Sequence, residues 1–156
     1  MPKITPFLWF DHEAEEAANF YVTVFPNSKI VTTSRYGEAG PGKAGSVMVV
    51  SFDLDGQAFT ALNGGPHMQI NGAVSFVIDC ADQGEVDWYW EKLAEGGKTN
   101  QCAWLSDKFG VTWQIVPEAL PRLLGDPDRA KANRVMQAML KMTKIEIDKL
   151  EAAYAG

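Results

Sequence analysis

The feature that most constrains this chain is an internal repeat in the order of its predicted elements. In each half, an apolar strand leads into an amphipathic helix and then into further strands. The first half contains a helix between Asp11 and Pro26, with strands predicted at residues 4–10, 29–36, 46–52 and 57–63. The second half contains a helix between Asp79, its predicted cap, and Gly96, with strands predicted at residues 73–78, 101–105 and 111–116. Such a repeat predicts two copies of one supersecondary unit.

The spacing of matching residues supports the repeat. The helical segment that begins at Asp11 matches the one at Asp79 at an offset of 68 residues. The hairpin at Gly56 matches the one at Gly110 at an offset of 54. The offset falls because the first half carries a glycine-rich loop at residues 37–45 and a longer second strand.

Beyond residue 117 the pattern becomes helical. Asp126 and Pro127 are interpreted as an N-cap followed by proline at the first helical position. Thr143 and Glu146 have the spacing of a capping box. The first of these two helices carries an apolar stripe of Val135, Met136, Met139 and Leu140. We expect the pair of helices to pack back on the domain or across a dimer interface.

The length of 156 residues suits one domain with its own core. We therefore predict a single domain over residues 1–156. Its first half spans residues 3–65, its second half spans residues 72–117, and the helical tail spans residues 118–156.

Charge and cysteine content exclude several classes of protein. The net charge is −6, and the basic residues between Arg129 and Lys149 are interspersed with acids, which argues against a nucleic-acid partner. Cys80 and Cys102 are the only cysteines and have no CxxC spacing. The sequence has neither a signal segment nor an apolar run long enough to span a membrane. We expect a cytoplasmic protein without membrane or nucleic-acid partners.

Four stretches carry a resemblance to a known family. They read Leu-Asn-Gly-Gly-Pro, Cys-Ala-Trp-Leu, Asp-Lys-Phe-Gly-Val-Thr-Trp-Gln-Ile-Val-Pro and Lys-Ile-Glu-Ile, at residues 62–66, 102–105, 107–117 and 144–147. With the repeat over residues 3–117, they resemble the vicinal oxygen chelate superfamily (glyoxalase, bleomycin resistance and dihydroxybiphenyl dioxygenase). Within it they resemble the PhnB-like branch, which bears the name 3-demethylubiquinone-9 3-methyltransferase.

The resemblance implies a fold and an assembly. The fold is α+β, with two βαβββ modules that form a curved mixed sheet around a cavity, here followed by a C-terminal helical extension. The superfamily also implies a homodimer.

The metalloenzymes of this superfamily hold a divalent ion with His and Glu residues on the first and last strands of each half. Carried onto this chain, those positions fall near Thr5, Pro6 or Phe7, near Ala73, Val74 or Ser75, and at about Thr60 and Gln114. None of these is His, Asp or Glu, and a single glutamine oxygen does not make a site for a divalent cation. We therefore predict no metal site.

The methyltransferase name finds little support in the residues. Common S-adenosylmethionine enzymes use a glycine-rich turn that opens a helix. Here Gly64 and Gly65 precede Pro66 and another strand, so the turn is of a different kind. We predict no cofactor and leave open whether the chain is an enzyme.

Eight residues are candidates for function, each with a plainer alternative. His67 could be a general acid or base, or a solvated loop histidine. Cys102 could be a nucleophile, or a small hydrophobe in a strand. Thr60 and Gln114 would point into the cavity, or would satisfy each other or a buried water. Asn63 suits either close approach of a ligand or a tight turn. The remaining three are strand aromatics that line a pocket or belong to the core: Trp9, Trp104 and Trp113.

Three functions follow from these residues. The first is metal-free binding of a small aromatic or hydrophobic molecule in a pocket lined by Trp9, Thr60, Asn63, Trp104, Trp113 and Gln114. The second is an isomerase, lyase or transferase that acts on a quinone-like substrate, with catalytic residues drawn from His67, Cys102 and Gln114. The third is a structural dimer with a vestigial pocket.

Overall fold

A computed structural model describes residues 3–156 of the chain. The chain divides into two compact units, with the boundary between Ile70 and Asn71. Each unit contains one strand–helix–three-strand module, and the second unit also contains three further helices. The two-module α+β fold and the helical extension are therefore confirmed.

The first unit is built on a four-stranded mixed sheet. Its elements are β1 (Phe7–Phe10), α1 (Ala14–Val24), β2 (Lys29–Arg35), β3 (Val47–Leu54) and β4 (Gln57–Asn63). The strand order is β1-β4-β3-β2, in which β1 and β4 are parallel and the other neighbours are antiparallel.

One side of this sheet packs against α1. Tyr21 of the helix stacks on Phe52 with the ring centroids 6.3 Å apart, and Phe52 stacks in turn on Phe59 at 5.6 Å. These rings are buried, as are Leu8 and Phe10 of β1. Because side chains alternate along a strand, the residues between them point to the other side of the sheet. We call that side the far face of the first sheet; it carries Phe7, Trp9, Val49, Ser51, Thr60 and Leu62.

The second unit repeats this plan and extends it. Its elements are β5 (Ser75–Cys80), α2 (Gln83–Ala94), β6 (Lys98–Thr99), β7 (Trp104–Ser106), β8 (Thr112–Pro117), α3 (Ala119–Leu124), α4 (Arg129–Met139) and α5 (Ile147–Ala155). The strand order is β5-β8-β7-β6, again with the first pair parallel. The side facing α2 buries Ile78, Leu105, Trp113 and Ile115. The far face of the second sheet carries Ser75, Val77, Trp104, Ser106, Thr112 and Gln114.

The C-terminal helices pack back against the second module. Their apolar side chains form one buried cluster with Ala103, which precedes β7; its other members are Ala119, Leu120, Leu123, Val135, Met142, Ile145 and Leu150. Backbone hydrogen bonds add to this attachment, because the amides of Cys102 and Ala103 donate to the carbonyls of Met142 and Thr143 at 2.9 and 3.0 Å.

The starts of both module helices differ from the prediction. Helix α1 begins at Ala14 rather than directly after Asp11. Asp79 does not cap the second helix, because it lies inside β5 and pairs with Val116. Asp82 is the cap, and its side chain accepts a hydrogen bond from the Glu85 amide at 2.9 Å. Both aspartates suit a cap by residue type, and the pairing of β5 with β8 decides between them.

The starts of the tail helices also differ. Asp126 and Pro127 precede α4, whose cap is Asp128; its carboxylate accepts from the amides of Ala130 and Lys131. The capping box predicted from Thr143 to Glu146 does not form, because α5 begins only at Ile147 and Glu146, not Thr143, stands at the cap position.

Several strand limits and turns were predicted incorrectly. Strand β3 runs on to Leu54, and the turn is only Asp55 and Gly56, both left-handed with φ of 47° and 88°. This is the geometry of a two-residue hairpin loop. Cys102 does not lie in a strand, because it and Ala103 have φ of 60° and 78° in a tight turn that precedes β7. The short strand β6 and helix α3 were not predicted.

The pairing of strands adds an offset for the leading strands. Leu8 pairs with Ala61, and Ile78 pairs with Ile115. The leading strands are therefore related by 70 residues and the final strands by the predicted 54. The helices keep the predicted offset of 68, at which buried Tyr21 of α1 matches buried Tyr89 of α2. Among residues 3–156, no helix is long and apolar enough to cross a membrane.

Candidate functional site

Thr60 and Gln114 occupy equivalent places on the two far faces. Thr60 lies on β4 between Phe7 of β1 and Ser51 of β3. Gln114 lies on β8 between Val77 of β5 and Trp104 of β7. Residues directly opposite each other on paired strands have neighbouring side chains. Each sheet therefore presents a central polar side chain next to an aromatic one.

The Gln114 amide is held by a side chain of its own sheet. Its Nε2 donates to Ser75 Oγ at 2.9 Å. Ser75, Thr112 and Ser106 form the next row of the far face, and the hydroxyl oxygens of Ser106 and Thr112 are 3.4 Å apart. From the sequence, Ser75 stands out only as one of the superfamily's metal positions. Its contact with Gln114 could not be predicted, because it depends on the register between β5 and β8.

Trp9 lies on the far face of the first sheet and is fixed by two glycines. Its indole Nε1 donates to the Gly65 carbonyl oxygen at 2.9 Å. A Cβ on Gly64 would lie 2.4 Å from the Trp9 ring, so only glycine leaves room for the ring there. Gly65 has φ of 87°. These contacts explain why the stretch from residue 62 to 66 contains two glycines.

Asn63, predicted as a ligand residue, faces α1 and serves the framework. Its Oδ1 accepts from the Ala14 amide at 2.8 Å and so satisfies a free N–H group at the start of α1. Its Nδ2 donates to the Val47 carbonyl at 3.2 Å, and its own carbonyl accepts from the Tyr36 hydroxyl. Its side chain is therefore engaged in tying α1 to β3 and β4.

Trp113, also predicted as a pocket residue, belongs to the core on the α2 side. It is 3% exposed, and its ring centroid lies 5.5 Å from that of Phe76. Its indole donates to Asp107 Oδ2 at 2.8 Å, while Asp107 Oδ1 accepts from the amides of Phe109 and Val111. The polar group of Trp113 is thus engaged within the β7–β8 hairpin, and the ring does not share the face of Gln114.

The two cysteines lie apart from both far faces. Cys102 is half-buried in its turn, with Sγ 3.7 Å from the Met139 carbonyl oxygen. Cys80 is fully buried. Burial, followed by the negative charges of Glu85, Asp79 and Asp82, raises the pKa of the Cys80 thiol to about 12. Cys80 therefore stays protonated near neutral pH and is a poor nucleophile.

His67 lies in a cavity of the first unit. The cavity has a volume of about 530 Å³ and contains mixed polar and charged groups, among them Glu15, Tyr36, Lys43, Asn63 and His67. His67 is exposed and makes no hydrogen bond or ion pair with any described residue. The same cavity is lined by His12, whose Nδ1 lies 3.4 Å from Glu13 Oε1. Nothing in the sequence indicates that His12 lines the same cavity as His67, because the tertiary fold brings the two residues there.

A second cavity lies in the second unit, between α2, α3 and α5. Its volume is about 650 Å³, and its lining includes Asp87, Glu118, Arg122, Lys144 and Glu151. Lys144 Nζ contacts Asp87 Oδ1 at 2.8 Å. The hydrogen bond from Lys144, followed by one from Gln83, holds the pKa of Asp87 below its ordinary value.

The residues at the superfamily's metal positions do not fit a divalent cation. In the observed register, Thr60 lies beside Phe7, and Gln114 lies beside Val77. These four side chains offer a cation only one hydroxyl and one amide. Across residues 3–156, no group of three or more His, Cys, Asp or Glu side chains is arranged to hold a metal ion. Hard and borderline cations need several such ligands.

Comparison with known proteins identifies the family. The model of the 3-demethylubiquinone-9 3-methyltransferase family matches residues 2–116, well over half of the chain. The chain belongs to this family. A PhnB protein from Bacillus cereus, described under the same name, is 38% identical. The match covers 74% of this chain and 99% of that one, with a TM-score of 0.68. No curated protein shows significant sequence similarity.

More distant structures share the family's fold. The protein PA1353 from Pseudomonas aeruginosa is 22% identical over 76% of this chain and 98% of its own, with a TM-score of 0.63. The fosfomycin resistance protein FosX from Listeria monocytogenes is 16% identical over 80% of this chain and 98% of its own, with a TM-score of 0.57. PhnB and FosX are members of the vicinal oxygen chelate superfamily, as the sequence motifs predict for this chain.

Proposed function

We propose that this PhnB-like protein binds a small aromatic or hydrophobic organic molecule against the far faces of its sheets, without a metal ion. The observation that carries this proposal is the environment of Gln114. An amide in a fixed orientation lies in the middle of a sheet face, between the apolar side chains of Val77 and Trp104. Small-molecule sites typically combine apolar walls with a few placed polar groups.

The first sheet offers a comparable surface. Thr60 supplies a hydroxyl beside Phe7, and Trp9 lies in the next row of the same face. Phe7 is 59% exposed and Val77 is 54% exposed, although both are large apolar side chains within strands. Apolar surface that remains open on a folded protein often marks a place where another molecule binds.

Binding is favoured over methyl transfer and over other catalysis. The family name alone suggests a methyltransferase, but a reaction needs a nucleophile or base placed at the ligand. His67 and Cys102 both lie outside the strands that form the far faces, and within residues 3–156 no hydrogen bond or ion pair joins His67 to another group. The remaining candidate, Gln114, is neutral and can orient a ligand without exchanging a proton.

The proposal can be tested by an NMR titration with 1-naphthol as the probe. We expect saturable shifts of the Trp104 indole and of the Gln114 side-chain amide signals. The Trp113 indole provides an internal control, because it is buried and bonded to Asp107. Its signal should stay in place. Absence of any saturable shift, or shifts confined to the exposed Trp88, would contradict the proposal.

A matched pair of variants locates the site. We expect Gln114→Ala to weaken 1-naphthol binding about fivefold, since one hydrogen bond contributes roughly 1 kcal/mol. Gln137→Ala changes an exposed glutamine of α4 and should leave the affinity unchanged. Equal affinities for the two variants would place the probe elsewhere on the protein.

We also propose that the protein forms a homodimer. Met136 of the tail helix α4 and Leu140, which directly follows that helix, are exposed, at 38% and 53%. Large apolar side chains on the surface of a helix suit an interface between copies.

A further inference from the structure

Lys98 extends the far face of the second sheet by one strand and places a positive charge on it. It is an exposed residue of β6 and lies opposite Ser106. The same row continues across β8 and β5 with Thr112 and Ser75. Residues that lie opposite each other on paired strands have neighbouring side chains on one face. The row therefore combines three hydroxyl groups with an ammonium group at its edge.

The equivalent row of the first sheet has an acid where this row has a serine. Ala58 of β4 matches Thr112 of β8 at the offset of 54 residues. Ala58 lies opposite Asp53, and Asp53 lies opposite Lys29. A lysine thus stands at the edge of both rows. Lys29 has a carboxylate as its neighbour across the strands, whereas Lys98 has a hydroxyl group.

Lys98 has no acidic partner in the part of the chain that the structure describes. Within residues 3–156, its ammonium group makes no ion pair. Asp79 is an acid of the same face, but it lies at the opposite corner of the sheet. The two residues are about 13 Å apart along the strands and about 14 Å apart across them. This exceeds the Debye length of about 8 Å at physiological ionic strength, so Asp79 leaves the charge of Lys98 open to a ligand.

Lys98 also lies close to the aromatic part of the face. The next row contains Val77, Gln114 and Trp104. Two residues of a strand separate the rows, which places them about 6.6 Å apart. Trp104 lies two residues before Ser106 and is therefore the diagonal neighbour of Lys98, within reach of a long side chain. One small molecule can place its ring on the tryptophan and an attached charged group at the lysine.

We propose that Lys98 determines the specificity of the far face by binding an anionic oxygen group of the ligand, so that the site takes aromatic carboxylates in preference to neutral aromatic molecules. The hydroxyl groups of the row donate or accept hydrogen bonds and favour neither class, whereas an ammonium group carries only donors and a positive charge. The net charge of the chain is −6, so a preference for anions must come from a local group. This inference rests on the proposed function and names the class of molecule that binds.

The test compares 1-naphthoate with 1-naphthamide, two probes of similar shape of which only the first is charged. Dissociation constants are measured by calorimetry for the wild-type protein, Lys98→Met, Lys98→Arg and Lys29→Met. We expect the wild-type protein to prefer 1-naphthoate about three- to fivefold, the size expected for one exposed ion pair. Lys98→Met should reduce this ratio to about one without weakening 1-naphthamide, and Lys98→Arg should keep the preference. Lys29→Met is the matched control and should leave the ratio unchanged, because Lys29 lies opposite Asp53.

The outcomes separate this inference from the proposed function. Absence of a wild-type preference for 1-naphthoate, or an unchanged ratio in Lys98→Met, would overturn the role of Lys98 while the proposed function stands. Lys98 would then serve only to protect the sheet edge from pairing with another chain. An equal fall of the ratio in Lys29→Met would also overturn it, because the effect would follow net charge. Failure of both probes and of 1-naphthol to bind would overturn both proposals.

The Trp113 indole signal shows whether each variant keeps its fold. This group is buried and bonded to Asp107 on the α2 side of the second sheet. An unchanged signal in Lys98→Met means that β8 and its core side are intact, so that a change in the ratio reports on the far face.

Discussion

At the scale of residues, the stretches that resemble the family serve mainly to hold the framework. Gly64 and Gly65 accommodate and bind Trp9, and Asn63 fixes the start of α1. The Asp107 carboxylate accepts hydrogen bonds from three N–H groups of its own hairpin, including the Trp113 indole. Thr60 and Gln114, which we propose to meet the ligand, lie on the sheet faces that these contacts support.

Replacing Gly64 tests the packing of Trp9. In Gly64→Ala, the new Cβ would lie 2.4 Å from the Trp9 ring, so the ring or the chain must move. We expect the free energy of unfolding to fall by about 1–3 kcal/mol, as is usual for overpacking. Urea denaturation measures the change. Gly37→Ala is the matched control, because its Cβ meets no atom within 4 Å and its cost should stay below about 0.5 kcal/mol. Equal losses in the two variants would argue against the packing role.

The raised pKa of Cys80 makes the free energy of unfolding depend on pH and fixes the sign of that dependence. The folded thiol keeps its proton up to a pKa of about 12, while an unfolded thiol releases it near 8.5. The folded state is therefore fully favoured by this group below about pH 8.5, and the benefit is lost as the pH rises toward 12. Between pH 9 and pH 10.5, we expect the wild-type protein to lose about 2 kcal/mol more stability than Cys80→Ala. Urea unfolding at both pH values measures these losses. Equal losses of stability in the two proteins would refute the prediction.

The sequence could predict some of these residue roles and not others. Alternation along a strand is a local property, so the repeat alone places Thr60 and Gln114 at equivalent positions. The roles of Asn63 and Trp113 depend on partners that the fold brings together, namely the Ala14 amide and the Asp107 carboxylate. The contact of Ser75 with Gln114 likewise needs the register of two strands that are distant in the chain.

At the scale of elements, errors in the prediction concentrate at the ends of helices and strands. Asp79 and Asp82 are equally good caps by residue type, but Asp79 is used by β5. Strand β6 has only two residues and forms because β7 pairs with it. Such short elements have no periodicity of their own and are determined by neighbouring chain segments.

One side chain of α2 adds two hydrogen bonds to the apolar packing that attaches α5 to the second module. The Gln83 amide donates to the Ile145 carbonyl at 3.0 Å and accepts from the Ile147 amide at 2.8 Å. It thereby replaces the cap that Glu146 does not supply. We expect Gln83→Ala to cost about 1–3 kcal/mol, because two backbone groups lose their partner.

Hydrogen exchange measures this effect locally. In Gln83→Ala, the amides of α5 should exchange about tenfold faster, which corresponds to about 1.4 kcal/mol. Gln137→Ala should leave them unchanged, since Gln137 is an exposed residue of α4. If α5 exchanged at the wild-type rate in both variants, the attachment would have to come from the apolar cluster alone.

At the scale of the whole molecule, a helical segment follows the part of the chain that the family model matches. The family model ends at residue 116, and helices α3, α4 and α5 follow it. They bury a cluster of their own against Ala103 and leave Met136 of α4, and Leu140 directly after it, exposed. The tail thus stabilises the second module and provides new apolar surface.

The proposed homodimer is tested by light scattering coupled to size-exclusion chromatography. With a chain mass of 17.1 kDa, we expect a species of twice this mass at micromolar concentration. Leu140→Lys should shift the equilibrium toward the monomer if α4 forms the interface, because a charge would be buried there. A wild-type protein that runs as a monomer would contradict the dimer.

The most direct test of metal-free binding is native mass spectrometry of protein purified without chelators, together with metal analysis of the same sample. Thr60 and Gln114 offer an organic molecule a hydroxyl and an amide, but they offer a divalent cation too few ligands. We predict a retained organic molecule of low mass and a content of divalent metal far below one ion per chain. A divalent ion bound at one per chain would contradict the proposal.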